Sequence, residues 1–393
     1  MTIKSFKLKN TGLCSWIVKN CEKKNIIYAT SIQQTIIPSI ISGKDSLLFS
    51  RTGTGKTLSF ILPLIHIHYL NPQNCFISIL VPTKELGIQI YQTYNLLSKG
   101  GKIFGVFIDK KTTQFIFNIH SGICLISTIL SLHKISNFLS RLFIYRQKVF
   151  ILDEVDILMK SVNFGFLKKI ILKILPSQIN LFGVTNISFF KFLKRFSYRK
   201  NIFFFNEKQT KFHIFSEIKH EYIYCLSKFK FKFLITLLKL KEKFEKKEIQ
   251  KKPILIFFRD KKKCETFVKT LKENRISASI LHHEMDFFQR TVSIQLVKKG
   301  ITNILISTDL GSRGMNFSFV NQVINMDVPI KIKTYLHRTG RIGRFNKKGT
   351  CLNLVDKKEI YIIHKIEKNL GIYITKSILN FKKTEFNKIY GIY

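Results

Sequence analysis

Apolar residues in this chain gather into short continuous runs separated by segments of helical length. In the first half the runs lie at 46–50, 77–82, 104–107, 123–127, 149–153, 179–184 and 202–205. In the second half they lie at 254–258, 278–281, 303–307, 322–326 and 351–355. Successive positions are apolar, not alternate ones, which is the pattern of strands buried on both faces. Such strands alternating with helices predict parallel sheets covered on both sides, an α/β fold. The second series restarts after a gap, so two tandem domains are expected, at 1–208 and 221–375, joined by a linker at 209–220 and followed by a basic, weakly patterned tail at 376–393. The charged run KLKEKFEKKEIQKK at 239–252 reads as a solvated helix end, not a boundary.

One run ends in an unexpected way. In FILDEVDILM (150–159) the apolar residues give way to Asp153, Glu154, Val155 and Asp156. Acids at the start of a helix complement its exposed N–H groups, so a cap is the simplest reading. A second run gives them other work. SLLFSRTGTGKT (46–57) carries an apolar strand into a glycine-rich loop, and the helix-like LSFILPLI follows. That is the order of a phosphate-binding loop, here Thr52, Gly53, Thr54, Gly55, Lys56 and Thr57. The glycines let backbone N–H groups turn toward phosphate, Lys56 reaches the β and γ oxygens, and Thr57 offers a hydroxyl to Mg²⁺. The strict pattern has glycine where this chain has Ser50. A phosphate loop of this kind needs a second strand ending in an acid for the metal, a role that suits Asp153, with Glu154 to orient or deprotonate the attacking water.

Composition narrows the classes. The chain has 393 residues, enough for two or three domains with real cores, and 45% hydrophobic content. No apolar run approaches the roughly 18 residues of a membrane span, so no membrane association is expected. The opening MTIKSFKLKN lacks the apolar stretch of a signal peptide. Seven scattered cysteines without a C-x-x-C pair read as reduced residues of an intracellular protein with no zinc site, and His282 and His283 as loop or packing residues. The net charge of +42 points to a polyanionic partner, most simply nucleic acid. Lysine is the weaker witness, because alanine occurs only twice and Ile, Phe, Lys and Asn abound, the composition of an AT-rich genome. Only twelve arginines occur, and Arg313, Arg338, Arg341 and Arg344 crowd into one short region.

With a phosphate loop followed about 100 residues later by D-E-x-D, the chain resembles the DEAD-box RNA helicases, over nearly its whole length. YATSIQQTIIPSIISGKD resembles their adenine-recognition segment, with Gln33 as the base-reading amide and Phe6 as the upstream aromatic. PTKEL (82–86), STDLGSRGMN (307–316) and YLHRTGRIGR (335–344) resemble further family motifs. The resemblance implies two RecA-like domains that close on ATP and Mg²⁺, with Thr57 and Asp153 at the metal and Asn316 near the ribose. Arg341 and Arg344 would act in cis as arginine fingers, and Asp156, Thr185, His337 and Arg338 would couple the domains. RNA would be gripped by Pro82, Thr83, Lys84, Thr128, Gln289, Arg290, Thr308 and Arg313, and closure would melt a few base pairs. GLCSWIVKNC (12–21) and EIYIIHKIEKNLG (359–371) resemble the subgroup acting in small-subunit ribosome assembly. That subgroup implies pre-ribosomal RNA, a monomer with a protein activator, and the nucleus or nucleolus, with the cytoplasm as alternative.

Departures from the family pattern set the open question. Val155 stands for its alanine and reads as packing. Gly183, Val184 and Thr185 stand for its Ser-Ala-Thr, which removes the serine hydroxyl. Thr128, Ile129, Leu130 and Ser131 stand for Thr-Pro-Gly-Arg, without the arginine, no Gly-Gly motif is recognisable around 105–111, Ala29 replaces a proline, and Asn316 replaces an aspartate. An ATP-dependent RNA helicase is therefore expected, with an ATP-dependent RNA clamp that unwinds weakly as the alternative. A nucleotide-driven machine on DNA is disfavoured by the Gln33 segment.

Overall fold

The structure is a computed structural model, and it describes residues 6–50, 53–73, 75–101, 103, 105–108, 123–134, 147–159, 164–174, 176–183, 202–206, 218–244, 253–309, 317, 319–342 and 349–377. The chain divides into two compact units, Met1–Gln209 and Thr210–Tyr393.

The first unit is built on β1 (Asp45–Phe49), β2 (Cys75–Val81), β3 (Gly105–Phe107), β4 (Ile123–Thr128), β5 (Gln147–Leu152), β6 (Gln178–Gly183) and β7 (Ile202–Asn206). They form one sheet in the order β3-β4-β2-β5-β6-β1-β7, and every pairing in it is parallel. Successive side chains along a strand leave by opposite faces, so the continuous apolar runs divide between two cores. Leu48, Ile77, Ile79, Ile126 and Ile151 enter one core. Leu47, Phe49, Leu80, Leu125, Phe150 and Leu152 enter the other. Helices Lys56–Leu70 and Lys84–Leu97 contribute Phe60, Leu64, Ile90 and Tyr94 to the first of these.

The second unit repeats the plan with β8 (Ile218–Tyr224), β9 (Ile254–Phe258), β10 (Ser279–Leu281), β11 (Ile304–Thr308), β12 (Gln322–Asn325), β13 (Gly349–Val355) and β14 (Thr375–Lys376). Its order is β10-β11-β9-β12-β13-β8-β14, again parallel throughout. Counted from the first strand of each unit, the two orders are the same. Leu255, Phe257 and Leu305 face one core, while Ile254, Ile256, Phe258 and Ile306 face the other.

Two boundaries need correction. β8 begins at Ile218, inside the stretch expected to be linker (209–220), and pairs along its length with β13. Its other neighbour is the two-residue β14, so Lys219 and Tyr224 stay exposed and no continuous apolar run forms. Lys376 belongs to β14 and the Ser377 N–H donates to Tyr222 O at 2.8 Å, so the second sheet runs past the expected start of the tail at 376. The charged run at 239–252 opens as the end of helix Lys230–Phe244, and its remainder lies outside the described residues.

Candidate functional site

In a parallel sheet, polar side chains for chemistry collect at the carboxyl ends of the strands, where the chain leaves the core. β1 ends at Phe49, and the loop that follows turns twice through left-handed glycines, Gly53 (φ 89°) and Gly55 (φ 92°). Gly55 precedes helix Lys56–Leu70, whose first N–H groups and dipole favour an anion. The Ser50 N–H donates to Gly183 O at 3.0 Å, and the hydroxyls of Ser50 and Thr54 are hydrogen-bonded to each other. Lys56 Nζ donates to Ser50 O at 2.8 Å, folding the lysine across its own loop.

The adenine-segment candidate is tied to that loop. Thr30 and Gln33 form a capping box at the start of helix Ser31–Ile41, a Thr-x-x-Gln signature readable in the sequence. Gln33 Oε1 accepts from the Thr30 N–H at 3.0 Å, and Nε2 donates to Gly55 O at 3.3 Å. A Cβ at Gly55 would lie 2.7 Å from Gln33 Nε2 and push that amide off the loop, while the positive φ is what favours glycine here. Phe6 O accepts from the Ala29 N–H at 2.9 Å, which sets Phe6 alongside the segment.

β5 delivers the acids. The Asp153 N–H donates to Leu80 O at 2.9 Å. Glu154 then takes a left-handed conformation (φ 47°, ψ 44°), and its N–H donates to Asp153 Oδ1 at 2.9 Å. A non-glycine residue in this region costs about 1–3 kcal/mol and persists where its surroundings over-determine it. Burial and the neighbouring Glu154 charge push the Asp153 carboxyl up to about 7, against the pull of Lys56 and of the Glu154 N–H. Asp156 is buried in the short helix Val155–Leu158. Crowded carboxylates, with Asp153 raised in basicity, are hard oxygen donors, which suits a divalent cation. Among the described residues no group of three or more His, Cys, Asp or Glu could hold a metal ion by itself, so such a cation would need phosphate or water as further ligands.

The RNA-contact candidates of the first unit lie on neighbouring strand ends, with Val81 in register with Thr128 and Leu80 with Leu152. Thr83 caps helix Lys84–Leu97 through the Leu86 N–H, with Pro82 ahead of it and Lys84 exposed. Thr128 Oγ1 accepts from the Ser131 N–H at 3.2 Å, and the two hydroxyls lie 3.0 Å apart. The buried Ser131 thus sits in the first turn of helix Ile129–Lys134, with Thr128 at its N-terminus and exposed Leu130 beside it.

In the second unit β11 ends in buried Thr308, and Asp309 follows. Helix Ile332–Thr339 carries His337 and Arg338. Arg338 is buried, pairs with Asp309 through Nε (2.6 Å) and Nη2 (2.9 Å), and donates Nη1 to Asn325 Oδ1 (2.9 Å) and Asp327 O (2.8 Å). Arg341 is also buried; its Nε donates to His337 O at 3.2 Å and its guanidinium lies over the Phe317 ring at 5.7 Å. Gln289 closes a capping box with Asp286 ahead of Arg290 on helix Phe287–Lys298. Sequence reasoning missed Asp309, Asn325 and the role of Ser50. The pair Thr308–Asp309 at a strand end was the one legible signal. Thr52, Thr185, Arg313, Asn316 and Arg344 lie outside the described residues.

Comparison with known proteins agrees with this layout. The DEAD/DEAH box helicase model matches residues 30–187, and the helicase conserved C-terminal domain matches 229–346. The human "Probable ATP-dependent RNA helicase DDX49" is 29% identical over 369 residues, covering 91% of this chain and 74% of its own length. The Yarrowia lipolytica "ATP-dependent rRNA helicase RRP3" is 29% identical, covering 92% of this chain and 74% of its own length. Saccharomyces cerevisiae "ATP-dependent RNA helicase DBP8" is 28% identical, covering 97% and 88%. Among solved structures, S. cerevisiae Dbp5 bound to RNA and ADP BeF3 has a TM-score of 0.79 at 24% identity, covering 98% of this chain and 100% of that one. The DEAD-box helicase Mss116 bound to ssRNA and UDP-BeF has a TM-score of 0.81 at 21% identity, covering 99% and 83%. These likenesses identify the two sheets as tandem RecA-like domains. Because the two models fall on the two sheets and the full-length relatives run through both, the chain belongs to the DEAD-box family of ATP-dependent RNA helicases.

Proposed function

We propose that this chain hydrolyses ATP to ADP and phosphate while locally unwinding or remodelling ribosomal RNA. The observation that carries the ATPase part is the placement of a phosphate loop, with Lys56 Nζ folded onto Ser50 O at 2.8 Å, in the same sheet as the acids that follow β5, where the Lys56 charge opposes the upward push of burial on Asp153. Lys56 and the N–H groups at the start of its helix bind the phosphates, and Gln33 reads adenine. Thr57 and Asp153 would hold Mg²⁺, which supplies charge neutralisation at the phosphate oxygens. Glu154 orients the attacking water and takes its proton. Arg341 and Arg344 stabilise the transferring phosphoryl group in cis, an effect of roughly 10³–10⁵ in rate. Pro82, Thr83, Lys84, Thr128, Gln289, Arg290, Thr308 and Arg313 hold the RNA backbone, and Asn316 the ribose of ATP. Asp156, Thr185, His337 and Arg338 couple nucleotide to RNA.

The ribosomal target is supported by a relative named as an rRNA helicase; the nucleus or nucleolus, with the cytoplasm as alternative, and a monomer with a protein activator belong to the same proposal. No helix among the described residues is long and apolar enough to cross a membrane. The test is steady-state ATPase of the purified chain with and without single-stranded RNA, with Glu154→Gln as the blank. RNA-stimulated turnover that the blank lacks is expected. Turnover that RNA leaves unchanged, together with tight ATP-dependent RNA binding, would replace the helicase with an RNA clamp.

A further inference from the structure

Two residues that break the expected motifs, Ser50 and Val155, lie around a third, Gly183. Ser50 donates its N–H to Gly183 O. A Cβ built on Gly183 would lie 3.1 Å from Val155 Cγ1, 3.5 Å from Asp156 Oδ1 and 3.9 Å from Phe49 Cε1. The 3.1 Å approach is tighter than an ordinary carbon contact, and Val155 is fully buried with no open side to retreat to. The methyl of Val155 therefore takes the space that a side chain at 183 would use.

What Val155 borders gives this exchange a purpose. It directly follows Glu154, whose backbone is held left-handed. The Glu154 carbonyl accepts from the N–H groups of Ile157 (2.8 Å) and Leu158 (3.2 Å), so the turn that aims the acids is continuous with the short helix Val155–Leu158. On its upstream side the turn is fixed by the Asp153 N–H on Leu80 O. On its downstream side Val155 faces the end of β6 at Gly183, where an added Cβ would meet Val155 Cγ1 first.

We propose that Val155 is a positioning residue for the acid pair: seated on Gly183 as one size-matched pair, it holds Asp153 and Glu154 in the turn that aims them at the nucleotide. The assignment rests on the ATPase reading above. The two positions are therefore coupled: a larger residue at 183 displaces Val155, and a smaller residue at 155 releases the turn, but the two changes together restore contact.

The experiment is a double-mutant cycle in the full-length chain, using Val155→Ala, Gly183→Ala and the double variant. RNA-stimulated ATP hydrolysis gives kcat and KM, and thermal unfolding followed by Trp16 fluorescence reports the first unit. Each single change is expected to lower kcat about tenfold, since a displacement well under 1 Å already matters to an aligned group, with KM for ATP within about twofold. The double variant is expected to return to within about threefold of the wild-type kcat, a sign of coupling between neighbours. A double variant no better than the product of the singles overturns the assignment, as does a loss of kcat that follows the unfolding midpoint in every variant. If a single variant does not fold, recovery of folded, active protein in the double variant supports the pairing and failure to recover overturns it. A wild-type chain without turnover overturns the ATPase reading itself, and this assignment with it.

Discussion

Arg338 clasps Asp309 with two nitrogens, Nε at 2.6 Å and Nη2 at 2.9 Å, across 29 residues of chain. The remaining guanidinium nitrogen meets Asn325 Oδ1 and Asp327 O, and the cation sits 4.9 Å from the Phe257 ring centroid. One buried planar fork thereby joins the ends of β11 and β12 to the helix that carries the arginine motif. A lysine keeps the charge but cannot reproduce the fork. Arg338→Lys is expected to destabilise the second unit by about 3 kcal/mol, near the lower end for breaking a buried pair. Trp16 is the sole tryptophan and lies in the first unit. In urea, far-UV circular dichroism should show an earlier transition while the Trp16 fluorescence midpoint stays in place. Coincident shifts of both would contradict a local role.

Acid should loosen the second unit through His220. Burial lowers this imidazole from 6.5 to about 4, and its Nδ1 lies 2.8 Å from the Tyr335 hydroxyl. Between those values the unfolded chain takes up a proton that the folded chain refuses, so stability is present above pH 6.5 and lost as pH falls toward 4. The full effect is about 3 kcal/mol. His220→Gln keeps a hydrogen-bonding group without the titration. Its unfolding free energy should fall less steeply over this window than that of the wild type, and equal slopes would rule His220 out.

Gln33 carries two loads, the cap of helix Ser31–Ile41 and the tie to Gly55 O. Losing a cap costs about 1 kcal/mol. Gln33→Ala should lower the unfolding free energy read by Trp16 by up to about 1 kcal/mol and also raise KM for ATP while leaving KM for GTP little changed. If the two nucleotides are affected equally, Gln33 supports the loop and does not read the base.

Lys84 is exposed at the start of its helix, next to Thr83 and Pro82. As a phosphate contact it would release about one counterion on binding. Lys84→Ala should reduce the slope of log affinity against log salt for single-stranded RNA by about 1, uniformly across RNA sequences. An unchanged slope would make it an ordinary surface charge.

The acid loop illustrates the limit of reading motifs letter by letter. Val155 and Gly183 look like two separate losses when each is set against a pattern. A Cβ built at Gly183 would lie only 3.1 Å from Val155 Cγ1, which makes them one exchange of volume. The same holds at 128–131, where the missing arginine is replaced by a serine folded onto Thr128. By contrast, Gly53, Gly55 and Lys56 do their work within one turn, so their spacing alone carried the reading.

The amino-acid sequence by itself determined the two strand series, their parallel class, the phosphate loop and the acids at the end of β5. Each depends on neighbours a few residues away or on burial of both faces of a strand, and both leave a local mark. Only the tertiary structure decided that β8 and β14 complete the second sheet, that Arg338 belongs to Asp309, that Gln33 ties the phosphate loop, and that Asp153 sits near neutrality. β8 is half-exposed and β14 has two residues, so neither makes an apolar run. The other three depend on register and desolvation between segments far apart in the chain, quantities that no local spacing encodes.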